Sequence, residues 1–150
     1  MKKILIVAAV LIVAGALGGD VFAAGTTTVN VSANIVGTCQ FSTTPTLAFG
    51  ALDQTSGAPA TATGTLSFWC TKGAAYTLSD PLGSTGTYSG SISNGTDTIA
   101  YSIGYTNATG SGTGKTSPIS STLNATILNT DYVDVSAGAY AGTVQFTIAP

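Results

Sequence analysis

The sequence predicts an all-β protein, a sandwich of short strands. Three observations carry that reading. Apolar residues recur at every second position in several stretches, which is the period of a strand with one buried face. Turn formers, above all the chain's Gly 19, interrupt those stretches about every 8–12 residues. Beyond the N-terminus no stretch has helical periodicity of useful length.

The N-terminus is expected to be a signal peptide, residues 1–23. Lys2 and Lys3 give a basic start, residues 4–17 an apolar run, and Val21-Phe22-Ala23 a small-x-small cleavage pattern. The run is short for a membrane span, and a retained anchor is the alternative reading. No cysteine lies near the site, which speaks against a lipid anchor.

The remaining residues suit one domain with a modest core. They carry Asp53, Asp80, Asp97, Asp131 and Asp134 against Lys72 and Lys115, and the chain has neither Arg nor Glu, with His 0. So few cations leave electrostatic binding of nucleic acid or of an anionic membrane without a basis. The missing His, Glu and Arg remove the usual acids, bases and charge stabilisers of catalysis, so no enzyme is expected, and no cofactor or metal. Asp131 and Asp134 lack the further oxygen ligands of a cation site and read as a solvated turn. Residues 110–115 place glycines beside Lys115 without the spacing of a phosphate loop.

Residues 25–37, GTTTVNVSANIVG, come first. Thr27, Val29, Val31, Ala33 and Ile35 share one face, and Thr28, Asn30, Ser32 and Asn34 the other, so an amphipathic strand is expected. Cys39 and Cys70, an even count behind a secretion signal, read as one disulfide; a redox or metal pair lacks both CxxC spacing and histidine. Residues 46–52 read as a short strand with Leu47, Phe49 and Ala51 on one face, followed by turn formers to Pro59. Residues 61–71 are the clearest core strand: Leu66, Phe68 and Cys70 point one way, and Thr65, Ser67 and Trp69 the other. Tyr76 and Leu78 share a face of residues 75–79. Asn94-Gly95-Thr96-Asp97 between alternating segments is a hairpin signal. Ile99, Tyr101, Ile103 and Tyr105 line one face of the returning strand. Residues 107–118 read as a flexible loop, residues 121–128 as a strand with Leu123, Ala125 and Ile127 inward, and residues 132–135 as a short β segment or turn. In residues 139–148, Tyr140, Gly142, Val144, Phe146 and Ile148 alternate with Ala141, Thr143, Gln145 and Thr147, and no further strand follows.

Taken together, VNVSANIVGTC, TLAFGALDQTSGAPATATGTLSFWCT, SISNGTDTIAYSIGYTN and SAGAYAGTVQFTIAP resemble the spore coat protein U domain family. That family includes pilin subunits of archaic chaperone–usher pili. The resemblance covers essentially the whole chain after residue 23. It implies an incomplete immunoglobulin-like β-sandwich, completed by a donor strand from a neighbouring subunit. Residues 24–37 would be the donor strand and residues 38–150 the pilin-like domain. Thr27, Val29, Val31, Ala33 and Ile35 would fill a neighbour's groove. Tyr140, Val144, Phe146 and Ile148 would sit on the strand that edges the groove, and Cys39–Cys70 would brace it. The implied partners are other pilin subunits, a periplasmic chaperone and an outer-membrane usher. The implied route is export to the periplasm and then to a cell-surface pilus serving adhesion or biofilm formation.

Burial of Val29, Val31 and Ile35 at about 1.5–3 kcal/mol each rivals the whole stability of a small domain, about 5–15 kcal/mol. Strand addition is therefore expected to be nearly obligatory for such a subunit. The competing readings are a secreted spore-coat or matrix protein, and a monomeric carbohydrate-binding module using Trp69, Tyr88 or Tyr105.

Overall fold

The computed structural model describes residues 24–150; the signal peptide expected at residues 1–23 lies outside the described residues. The chain divides after Asn34, and among the described residues every strand lies in the second unit, Ile35–Pro150. In the first unit, residues 24–34 form neither strand nor helix, and all are exposed.

Within the second unit the strands are β1 (Cys39–Phe41), β2 (Ala60–Cys70), β3 (Ala75–Ser79), β4 (Thr87–Ser93), β5 (Thr98–Tyr105), β6 (Thr109–Ser111), β7 (Ile119–Ile127) and β8 (Thr147–Ala149). One 3-10 turn, Asn129–Asp131, follows β7. A five-stranded sheet has the order β1-β2-β7-β5-β4, and a three-stranded sheet the order β6-β3-β8. All pairings are antiparallel. The two sheets share one core, an arrangement consistent with a β-sandwich.

The core follows from the period-2 pattern. On β2, Ala62, Leu66, Phe68 and Cys70 are buried while Thr61, Thr63 and Thr65 face solvent. On β5, Ile99, Tyr101, Ile103 and Tyr105 are buried, and on β7 Leu123, Ala125 and Ile127. Tyr76 and Leu78 of β3 meet them from the second sheet: the Phe68 and Tyr76 rings pack edge to face with centroids 5.1 Å apart. The predicted hairpin is present, with Ser93 opposite Thr98. Cys39 and Cys70 sit directly opposite each other across β1 and β2 and form the expected disulfide.

Three segments depart from the sequence reading. Residues 46–52 form no strand; Leu47 and Phe49 are half-buried, but Leu52 rather than Ala51 is the next one inward. Gly50 stands between them at φ +74°, a left-handed residue that breaks strand alternation. Residues 107–118 include a strand, β6, because Thr109–Ser111 find the edge of β3 as a partner. Residues 139–148 show the expected alternation, with Tyr140, Val144, Phe146 and Ile148 half-buried, but only Thr147–Ala149 join a ladder. Upstream of β8, a single bridge ties Ala141 to Ser93.

Candidate strand-accepting cleft

Two stretches of the second unit lie on the core without belonging to either sheet. The first is residues 43–52, whose Pro45, Leu47, Phe49 and Leu52 are half-buried. The second is residues 142–146, with Val144 and Phe146 half-buried. Among the described residues neither stretch makes a backbone–backbone hydrogen bond. Both therefore present the unpaired N–H and C=O rows that a sheet edge presents. β8 lies at the edge of its own sheet.

Between these stretches the surface is hollow. A cavity of about 810 Å³ is lined by residues 48–55 on one side and residues 135–140 on the other, with Ile92, Ile99 and Tyr132 also contributing. A second, of about 180 Å³, is lined by Phe41, Thr43, Thr44 and Pro45, by Leu66 and Leu123, and by Val144 and Phe146. Residues 48–55 and 135–140 wall the first hollow and residues 43–45 with Val144 and Phe146 the second, so the two follow one another along the same pair of chain stretches and are treated as one cleft. Its floor is the apolar inner face of the large sheet. Such a cleft could seat an extended segment: an apolar narrow end at Leu66, Leu123, Val144 and Phe146, a more polar wide end, and backbone without ladder partners along residues 43–52 and 142–146.

The walls are held by polar contacts. Gln54 Nε2 donates to the carbonyls of Tyr132 and Val135 at 3.0 and 2.8 Å. The buried Tyr132 donates its hydroxyl to Ala58 O at 2.8 Å. Phe146 packs edge to face on Tyr105, centroids 5.1 Å apart, and Tyr105 donates its hydroxyl to Ser84 O at 2.7 Å. Burial pushes the Tyr105 and Tyr101 hydroxyls up from the ordinary phenol range. Two carboxylates are held charged by neighbouring donors, Asp53 in the lining of the wide hollow and Asp97 in the β4–β5 turn behind it. Asp53 is held below the usual carboxylate range by the Thr55 hydroxyl and amide, and Asp97 by the hydroxyl and amide of Ser136.

The sequence-predicted residues distribute as follows. Val144 and Phe146 line the narrow hollow, Tyr140 the wide one, and Ile148 is half-buried in β8 opposite Leu78. Thr27, Val29, Val31 and Ala33 lie in the first unit, all exposed, with Val29 at 75% and Val31 at 90%. Ile35, at the start of the second unit, is 82% exposed. Trp69, Tyr88 and Tyr105 are not brought together. Trp69 points outward from β2 with Lys115 Nζ 5.7 Å above its ring, Tyr105 is buried, and Tyr88 packs on Tyr101. The sequence reading misses Gln54, Tyr132 and Ser136. Gln54 and Ser136 sit in turn-rich segments with no periodic signal, and the pattern marks Tyr132 only as the start of a short segment.

Compared with protein-family models, residues 25–147 match the Spore Coat Protein U domain, SCPU. The chain belongs to the SCPU domain family. No curated protein and no solved structure matches the chain. SCPU domains are known in pilus-like, extracellular subunits, and the family is a structural one rather than an enzyme family. Among the described residues no helix is long and apolar enough to cross a membrane.

Proposed function

We propose that this SCPU domain is a structural pilus subunit that polymerises by donor-strand complementation. Residues 24–37 are the strand it lends and the cleft between residues 43–55 and 135–146 is the place where it receives one. Thr27, Val29, Val31, Ala33 and Ile35 enter the cleft of the next subunit, against Tyr140, Val144, Phe146 and Ile148. Residues 1–23 direct export and are removed. A periplasmic chaperone covers the cleft before assembly, an outer-membrane usher exchanges it for a subunit's strand, and the fibre serves adhesion or biofilm formation at the cell surface.

The observation that carries this reading is the unpaired apolar cleft in a chain whose N-terminal stretch is amphipathic and exposed. An empty cleft leaves core side chains half-covered and residues 43–52 and 142–146 without ladder partners, and one extended apolar segment supplies both deficits. Ladder hydrogen bonds add about 0.5–1.5 kcal/mol each to the side-chain burial.

Val31→Asp tests it. An ionised carboxylate placed in an apolar pocket without a partner is strongly unfavourable. The variant is expected to fold and form its disulfide but to yield no fibres by electron microscopy; fibres at normal levels would overturn the reading.

A further inference from the structure

The tip of the β4–β5 hairpin makes a set of contacts that the strand-accepting role above does not by itself require. Asn94 Oδ1 accepts the amides of Thr96 and Asp97 at 2.9 and 2.7 Å, which fixes the turn. Asp97 Oδ2 then accepts the Ser136 amide at 2.8 Å and the Ser136 hydroxyl. Asn94 Nδ2 donates to that same hydroxyl oxygen at 3.1 Å, and Tyr140 donates its own hydroxyl to Ser136 O at 2.8 Å. At the other end, Ser93 and Ala141 exchange both backbone hydrogen bonds at 3.0 Å.

What these contacts hold is one wall of the wide hollow, residues 135–140. Its ends are anchored, Val135 by core packing and the Gln54 contact and Tyr140 by core packing, but the segment between them has little else to hold it. Ser136, Ala137, Gly138 and Ala139 are all exposed, small and outside any ladder. No burial fixes them, so hydrogen bonds to the hairpin do. The approach is close: a Cβ on Gly138 would lie 3.3 Å from Asn94 Nδ2.

The geometry points to Asp97 as a positioning residue for strand capture: the hairpin tip latches residues 136–141 and holds the wide end of the cleft in shape before a strand arrives. The inference rests on the strand-accepting reading and adds to it which residue keeps the site formed. A preformed wall spares the incoming strand the entropy of ordering a small-residue segment. Loss of the latch slows capture, although Asp97 touches no part of the strand.

The test uses the full chain and a fluorescent peptide of residues 25–36, with capture followed by anisotropy. Asp97→Asn, which takes the charge from both Ser136 contacts, and Ser136→Ala, which removes the hydroxyl one, are each expected to capture the peptide roughly fivefold more slowly, the scale of a weakened hydrogen bond open to solvent. Both variants should stay folded at the assay temperature, with thermal midpoints only slightly below that of the parent. The pH profile is the second readout. Wild-type capture declines as pH falls through the lowered range of Asp97, and Asp97→Asn lacks that limb. Asp53, on the opposite wall, and the Tyr140 hydroxyl facing Asp97 remain in the variant, so the difference between profiles belongs to Asp97. Capture at the parental rate with the parental acid limb overturns the latch and leaves the strand reading standing. A parent chain that neither captures peptide nor forms high-mass ladders overturns the strand reading, and the latch with it.

Discussion

Asp53 is exposed and Asp97 half-buried, and each is tied to a neighbouring hydroxyl and amide, Thr55 and Ser136 respectively. Those donors favour the charged form, so both groups titrate below the ordinary carboxylate range in the folded chain. The sign follows: a depressed folded pKa contributes stability above the unfolded value, and that stability is lost as pH falls through the folded one. Urea midpoints measured from pH 6 down to pH 2 should decline, and Asp53→Asn with Asp97→Asn together should flatten the decline. In the core, Leu78 is fully buried between the sheets, and Leu78→Ala should cost about 2–5 kcal/mol in urea unfolding. The inward residues of β2, β5 and β7 are all readable from alternation, since a side chain on a half-buried strand has only two directions to choose from. The residues after Phe49 are not, because Gly50 at φ +74° shifts the phase, and a glycine's conformation is not written in its neighbours.

Strands need both a pattern and a partner, and the elements show the two requirements separately. Residues 139–146 have the alternating pattern of a strand, but apart from the Ala141–Ser93 bridge nothing in the described chain pairs with them. β6 has the partner without the pattern: Thr109, Gly110 and Ser111 are all exposed, and they are a strand because β3 offers an edge. The rims of the cleft are therefore half legible in the sequence: their apolar side chains are, and their missing ladder is not. The loop beyond β6 is fixed by a glycine. Gly112 donates to Ala74 O at 2.7 Å and its carbonyl accepts from Gly73 N at 2.8 Å. A Cβ there would meet Thr71 O at 2.2 Å and Cys70 O at 2.7 Å, both backbone atoms that have little freedom to yield. Gly112→Ala should destabilise the domain by at least about 1–3 kcal/mol, measured by thermal unfolding.

At the scale of the molecule, a cleft with two unpaired rims sets how the chain behaves in solution. Wild-type protein should give high-mass ladders on size-exclusion chromatography. Deletion of residues 24–36 should abolish them, and added peptide should then stabilise the deleted form as a monomer. The disulfide joins two sheet neighbours 31 residues apart in sequence. Closing a loop of that length contributes roughly 3–4 kcal/mol, so reduction should lower the thermal midpoint substantially.

The same disulfide has a mechanical consequence. A pull on the chain from its N-terminal side reaches the sheet at β1, which has only three residue pairs to β2. Alone, so short a ladder peels pair by pair at low load. Because Cys39 is bonded to Cys70, the load passes at the first of those pairs into β2, whose nine paired positions with β7 anchor it across the width of the large sheet. Oxidised domains should thus yield in force spectroscopy as one brittle unit, and reduced ones should first lengthen by a small, soft step.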